Sequence, residues 1–128
     1  MSAHPRKILI KAAGVELAAE LLDTPTADRI WATLPIHATA HTWGAEVHFE
    51  THVETGWDAD AREVVTLGEI GFSPEHDTIT IGFGPTPISQ ENEIRLEGPA
   101  NIWARCIDDA RALAKVKAGQ LIEVLRTS

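Results

Sequence analysis

Histidine and glutamate side chains alternate with apolar side chains along residues 46–53, EVHFETHV. Successive residues of a strand point to opposite faces. Glu46, His48 and Glu50 would therefore share one face, with Val47 and Phe49 on the other. Imidazole and carboxylate groups are ligands for Zn²⁺ and similar ions. The chemistry that this face could perform is metal binding.

The preceding turn predicts which residues oppose these side chains. Residues 43–46, WGAE, fit a two-residue type II′ turn, which takes glycine at its first central position. The resulting register pairs His41 with His48, Thr39 with Glu50, and His37 with His52. Opposed Cβ atoms lie about 5 Å apart, so His41 and His48 could share a metal ion with Glu50 as third ligand. The alternative, which we favour at this point, is a solvated polar face that binds no metal.

Other reactive groups have no supporting context. Ser73 and Ser89 lie outside any Gly-x-Ser-x-Gly motif, and Cys106, the only cysteine, is interpreted as a small buried apolar residue. The glycine-containing stretch 82–87 ends in prolines that lack backbone donors, which disfavours phosphate binding. No cofactor is expected.

Short alternating segments separated by turn residues predict a mostly β fold. The segment 15–21 also satisfies helical spacing, but its alternation favours a strand. Thr24 and Pro25 begin a short helix that ends at Pro35. A second helix is predicted to begin at Asp108 and Asp109 and to end before Gly119. Residues 89–99 are predicted as a loop. About seven or eight short strands are predicted, among residues 7–11, 15–21, 36–42, 46–53, 63–67, 68–72, 78–83, 101–107 and 120–126.

These elements show neither an internal repeat nor regular alternation of strand and helix. A closed or nearly closed antiparallel barrel with two short capping helices is the architecture they favour. Closure would also remove the exposed edge strands that promote aggregation. The length predicts a single domain spanning residues 1–128.

Charge and hydropathy exclude several classes of partner. The net charge is −8, and no cluster of lysine and arginine suits a run of phosphates, so nucleic acid is not expected as a partner. No run approaches the roughly 20 apolar residues of a membrane span, and residues 1–14 lack the apolar core of a signal peptide. We therefore expect a cytoplasmic protein that does not bind membranes, with its oligomeric state left open.

Three segments together resemble the cyclophilin-like family of small, uncharacterised prokaryotic proteins. They are residues 42–49, TWGAEVHF; residues 65–74, VTLGEIGFSP; and residues 81–89, IGFGPTPIS. The resemblance covers nearly the whole chain. It implies a compact barrel of about eight strands with helices capping its mouths.

The resemblance implies a binding site more readily than isomerase chemistry. True cyclophilins carry Phe-His-Arg and Phe-x-x-Gln-Gly-Gly strings, and neither occurs here. The expected function is binding of a small molecule or peptide, and no catalytic residue is assigned. The alternatives are a peptidyl-prolyl isomerase with a non-standard site, in which Arg105 could act, and an accessory subunit of a carboxyl- or amide-processing enzyme. The ligand-binding residues implied are Trp43, Glu46, Phe83, Gly84, Thr86, Pro87, Asn101 and Arg105.

Overall fold

A computed structural model describes residues 5–127, in which one antiparallel sheet dominates. Two helices accompany it, α1 (Pro25–Thr33) and a 3₁₀ helix (Ala110–Lys115). The strands described are β1 (Lys7–Ala12), β2 (Val15–Leu21), β3 (Ile36–Thr39), β4 (His41–Thr42), β5 (Glu46–Glu50), β6 (Arg62–Val65), β7 (Glu69–Ser73), β8 (Thr78–Gly82), β9 (Ile94–Cys106) and β10 (Leu121–Arg126).

The sheet curls into a nearly closed barrel because its two end strands are neighbours in the chain. The strand order is β3-β10-β1-β2-β9-β7-β8-β5-β4, and only Ala40 separates β3 from β4. The Ala40 amide donates to the Gln120 carbonyl at 2.8 Å, and its carbonyl accepts from the Gly119 amide at 2.8 Å. The predicted cyclophilin-like antiparallel barrel is confirmed.

Burial explains why residues 15–21 form a strand despite their helical composition. Val15, Leu17, Ala19 and Leu21 are all buried, whereas Glu16 and Glu20 are exposed. A strand places all four apolar side chains on the barrel interior, and this packing outweighs intrinsic propensity.

Helix α1 begins as predicted, whereas the second helix is shorter than predicted. The Thr24 hydroxyl accepts from the Ala27 amide at 3.0 Å, and Pro25 occupies the first turn. In the 3₁₀ helix the buried side chains are Ala110 and Leu113. Their spacing of three matches the three residues per turn of a 3₁₀ helix, so one short turn buries both.

The barrel interior holds the main apolar core, which includes Phe49, Phe72 and Trp103. A smaller apolar cluster lies outside this core and consists of Val65, Leu96, Ala100 and Ile102. It packs beneath a two-stranded ribbon made of β6 and residues 94–100, which we call the outer arm. The arm lies on the outer face of β7 and β8.

Two glycines provide the space that the outer arm occupies. A Cβ atom at Gly82 would lie 2.5 Å from Ile94 Cγ2, and one at Gly71 would lie 2.8 Å from Ala100 Cβ. Both distances are shorter than a van der Waals contact. The arm can therefore approach the sheet closely only because these two positions carry no side chain.

Two sequence-based predictions are wrong. Residues 89–99 are not a continuous loop, because β9 begins at Ile94 and pairs with β6. The predicted pairing of residues 37 and 39 with 52 and 50 does not form: the sheet breaks at Ala40, and β3 pairs with β10, where His37 faces Glu123. No helix among residues 5–127 has the length and apolar character needed to cross a bilayer.

Candidate functional site

A cavity of about 520 Å³ opens between the outer arm and the outer face of β4, β5 and β8. Four carboxylates line it, and within the described part of the chain no lysine or arginine does. The cavity therefore has a negative lining. Its residues are His41, Glu46, His48, Glu50, Ser73, Glu75, His76, Thr78, Thr80, Leu96, Glu97, Gly98, Pro99 and Ala100.

Side chains of β5 that point away from the barrel interior form the floor of this cavity. Val47 and Phe49 are fully buried in the barrel interior, so Glu46 and His48 point to the opposite, outer face. Glu46 pairs with Gly82, and His48 pairs with Thr80. Because Gly82 has no side chain, the floor beside Glu46 stays open to the arm.

Glu46 is a buried carboxylate, with only 1% of its side chain exposed. Its Oε2 lies 3.1 Å from His48 Nδ1, and its Oε1 accepts from the Glu97 backbone amide at 3.3 Å. A buried charge is costly unless it is paired. Among the described residues, His48 is the one basic side chain within salt-bridge distance of it.

His48 responds to this environment. Its hydrogen bond with Glu46 raises the pKa of the His48 imidazole above the usual 6.5, against the opposing effect of burial, and the charges of Glu97 and Glu50 act in the same direction as the hydrogen bond. The His41 ring stacks on His48 with centroids 5.6 Å apart and planes 23° apart. When it is protonated, the His48 imidazole balances the Glu46 charge.

The outer arm brings a third ligand group to the floor. One ligand atom each from Glu46, His48 and Glu97 lie within 4.8 Å of one another. The group combines a buried carboxylate, a half-buried imidazole and an exposed carboxylate. These donors are chemically able to hold a cation.

The His41–His48 pairing that the turn predicted is confirmed. His41 faces His48, and Thr42 faces Val47. Gly44 has φ +58°, and the Trp43 amide donates to the Glu46 carbonyl at 3.0 Å. Glu50 lines the same cavity, but the compact group of ligand atoms contains Glu46 and Glu97 in place of His41 and Glu50.

Sequence reasoning missed Glu97 because residues 89–99 are polar and end in Gly98-Pro99. A strand pattern is present in this segment, but it covers only four residues. Ile94 and Leu96 alternate with Arg95 and Glu97, and in the structure Leu96 is buried whereas Glu97 is exposed. This alternation is what identifies the first part of β9 as a strand.

Of the residues implied as ligand-binding, Glu46 lines the cavity, and four others gather around the Gly44 turn. Phe83 borders a separate groove of about 400 Å³ beside that turn. Gly84 lies against Ala45, since a Cβ on it would be 3.0 Å from Ala45 Cβ. Pro87 packs against Gly44 itself, and Trp43 is half-buried next to it.

Thr86 and Asn101 use their polar atoms inside the fold. The Thr86 hydroxyl donates to the Arg95 carbonyl, which holds the loop before β9. The Asn101 amide donates to the Thr26 hydroxyl at 3.0 Å and to the Gly56 carbonyl at 2.9 Å, while its oxygen accepts from the Asp58 amide at 2.9 Å. Asn101 thereby ties α1 and the loop after β5 to the barrel.

Arg105 lies on the sheet surface, outside the cavity lining. It is exposed and forms an ion pair with Glu69 at 3.6 Å. Glu69 is itself buried and accepts two hydrogen bonds from Arg62 and one from the Thr66 amide. The pKa of the Glu69 carboxyl is lowered to about 2, and the hydrogen bonds from the Arg62 guanidinium are the main cause.

Cys106 is half-buried and packs against the core. Burial raises the pKa of its thiol to about 11, and the charge of Asp108 adds to this. A thiol with this pKa is protonated at neutral pH, whereas the thiolate is the nucleophilic form. The environment is that of an unreactive structural cysteine.

The model of the cyclophilin-like family matches residues 6–125. The chain belongs to the cyclophilin-like family. Its fold is shared with the solution structure of a hypothetical protein from Archaeoglobus fulgidus, with TM-score 0.83 and 30% identity over 99% of this chain and 100% of that one. The cyclophilin-like resemblance inferred from the three sequence segments is confirmed.

A second solved structure, that of McbB in complex with tryptophan, shares the cyclophilin-like fold at TM-score 0.68. Its sequence identity is 16%, and the match covers 94% of this chain and 45% of the McbB chain. At that identity the likeness concerns the fold alone. No match was found among curated proteins.

Proposed function

We propose that this cyclophilin-like barrel binds a small, positively charged molecule in the cavity under the outer arm. The observation that carries the proposal is the lining, in which Glu46, Glu50, Glu75 and Glu97 are not offset by any lysine or arginine of the described chain. A cleft lined by one sign of charge focuses the field and attracts the opposite charge. An amine is the simplest organic ligand that satisfies this requirement.

Size and mixed polarity support a small molecule rather than a bare surface contact. The volume of about 520 Å³ lies within the range of about 300–1,000 Å³ common for small-molecule sites. Leu96 and Ala100 offer apolar contact, and the hydroxyls of Thr78 and Thr80 offer orienting hydrogen bonds. McbB, of which 45% matches this fold, has been solved in complex with tryptophan.

The test compares two ligands that share an indole ring and a two-carbon linker but carry opposite charges, an ammonium group in one and a carboxylate in the other. ¹⁵N-labelled protein is titrated with tryptamine and, separately, with indole-3-propionate, and the amide shifts are followed by NMR. We expect tryptamine to perturb the amides of Glu46, His48 and Glu97, and the anion to leave them unchanged. Equal binding of both ligands, or shifts confined to the Gly44 turn, would contradict the proposal.

Substitutions that remove single charges complete this test. Glu50→Gln and Glu97→Gln should each weaken tryptamine binding about two- to fivefold, the effect of one partly screened ion pair. Glu54→Gln is the matched control, because Glu54 is exposed and lies outside the cavity lining. Equal weakening by all three variants would indicate a general charge effect and not a site.

A further inference from the structure

We propose that Glu46, His48 and Glu97 bind a divalent transition-metal ion at the floor of the cavity. This inference rests on the proposed function, since it names a metal ion as the cation that the negative cavity takes. The side chains of the three residues lie outside the main apolar core, on the outer face of β5 and on the outer arm.

The first argument is the arrangement of donor atoms. One ligand atom from each residue lies within 4.8 Å of the other two. Zinc bound to nitrogen and oxygen at about 2.1 Å holds its ligands roughly 3–3.5 Å apart. A contraction of at most about 1.3–1.8 Å closes the group. The exposed Glu97 side chain can supply it by a change of rotamer.

The second argument is the buried charge of Glu46. Its side chain is 1% exposed, and in the described part of the chain neither lysine nor arginine pairs with it. Buried charges are stable when they are paired or when they coordinate metals. His48 compensates Glu46 when protonated; a bound metal ion compensates both Glu46 and Glu97 and uses the neutral imidazole as a ligand.

The donor set determines the class of metal. Mg²⁺ and Ca²⁺ take oxygen ligands almost exclusively, whereas one imidazole with two carboxylates suits Zn²⁺, Co²⁺ and Mn²⁺. Three protein ligands leave a position open, as in sites that bind a further ligand and unlike closed structural sites. That open position would face the cavity.

The proposed site also joins two parts of the fold. Glu46 and His48 belong to β5, whereas Glu97 belongs to the outer arm, whose contact with this floor is a hydrogen bond of 3.3 Å from its backbone amide. A bound ion would fasten the arm to the barrel. Metal binding should therefore protect the amides of residues 94–100 from hydrogen exchange, a readout that does not depend on any activity.

The experiment uses the full, untagged chain after dialysis against EDTA. Co²⁺ is titrated and followed by its visible absorption, and Zn²⁺ is titrated by calorimetry. We expect one ion per chain. Glu97→Gln should weaken binding by at least about tenfold, since even outer partners of metal ligands contribute about 10- to 100-fold. Glu97 is exposed, so this variant should fold normally.

Two matched variants decide whether the three residues act as a unit. Glu50→Gln removes a charge from the same cavity without removing a proposed ligand, and it should weaken metal binding by less than about threefold. Glu54→Gln lies outside the cavity and should leave the affinity unchanged. Comparable losses in Glu50→Gln and Glu97→Gln would overturn the inference.

The outcomes separate this inference from the proposed function. If tryptamine binds and neither Co²⁺ nor Zn²⁺ does, the metal site is wrong while cation binding stands. If neither the amine nor a metal binds, both are wrong. Metal binding with a tenfold loss in Glu97→Gln and increased protection of residues 94–100 would support the metal site. If a metal ion binds in this way and tryptamine does not, the metal site stands and the proposal of an organic ligand is wrong.

Discussion

Glu46 determines the character of the cavity because it is a carboxylate placed where the fold excludes water. Gly82 opposite it supplies no side chain, and His48 beside it supplies the compensating proton. Replacing Glu46 by an apolar residue would remove the reason for the raised pKa of His48. The pair is therefore best tested as a unit.

In metal-free protein we expect His48 to titrate above 6.5, because Glu46 stabilises its charged form and Glu97 and Glu50 add to this effect. Glu46→Gln should lower this pKa. A raised folded-state pKa stabilises the fold fully below 6.5, and that contribution is lost as pH rises through the folded-state pKa. NMR of the imidazole protons checks the first expectation, and urea unfolding across this window checks the second. A His48 pKa below 6.5 would contradict the pairing.

Glu69 predicts the opposite pH dependence. The pKa of the Glu69 carboxyl is lowered from the usual 4.5 to about 2, chiefly by its hydrogen bonds from Arg62. The ionised carboxylate therefore stabilises the fold above pH 4.5, and this contribution to the free energy of unfolding is lost as pH falls towards 2. Arg62→Met should cost about 1.5 kcal/mol at pH 7, the lower end for a hydrogen bond to a charged group, because Arg62 is 43% exposed. Urea unfolding at pH 7 and pH 3 measures the difference.

The control for Arg62 is Arg111→Met, which removes an arginine from the exposed pair with Asp109. Solvent screens that pair, so its loss should change stability much less than the loss of Arg62. Equal destabilisation by both substitutions would mean that the burial of Glu69 has no special weight.

At the scale of the element, the outer arm depends on glycine. Gly82→Ala would place a methyl group 2.5 Å from Ile94 Cγ2 and 3.1 Å from Leu96 Cδ2. We expect the arm to move outwards at a cost of about 1–3 kcal/mol, as for other overpacked sites, and tryptamine binding to weaken. Hydrogen exchange of residues 94–100 should accelerate while the barrel amides remain protected.

Gly98→Ala is the matched control for the arm, since no atom lies within 4 Å of a Cβ at Gly98. It should leave stability and hydrogen exchange unchanged. If Gly82→Ala behaves in the same way, the arm does not need close approach to the sheet.

The elements that could be predicted from the sequence are those whose own residues show a clear strand or helix pattern. Buried side chains alternate along β1, β2 and β5, and Thr24 with Pro25 marks the start of α1. The first part of β9 was missed because its alternation is short and lies in a polar stretch that ends in Gly98-Pro99. The glycines against which it packs are distant in sequence, so the local pattern gave no further support. Glu97 was missed for the same reason, whereas Glu46 and His48 lay on a predicted strand.

At the scale of the whole molecule, closure of the barrel depends on the single residue between β3 and β4. Ala40→Pro would remove the amide that donates to Gln120 at this point. We expect a loss of about 1–3 kcal/mol in the free energy of unfolding, measured in urea, because the Gln120 carbonyl loses its donor. Ala40→Gly, which keeps the donor, should cost less; an equal cost would show that loss of the hydrogen bond is not the main cause of the destabilisation.

The closure of the barrel also explains why the sequence pattern alone did not predict the strand pairing around Ala40. Residues 36–42 were predicted as one strand with one partner, but β3 pairs with β10 and β4 pairs with β5. A change of partner at Ala40 requires knowledge of where β10 lies, and that is a property of the closed barrel. The general architecture followed from the absence of strand-helix alternation and from the three family-like segments.

The small apolar cluster under the outer arm implies that the molecule has two levels of cooperativity. Val65, Leu96, Ala100 and Ile102 form a packing unit separate from the main core, so detaching the arm exposes far less apolar surface than unfolding the barrel. Segments with few buried contacts open at lower free energy than the global transition. We therefore expect the proposed ligand to enter or leave beneath the arm through local unfolding, while the barrel that carries Glu46 and His48 stays intact.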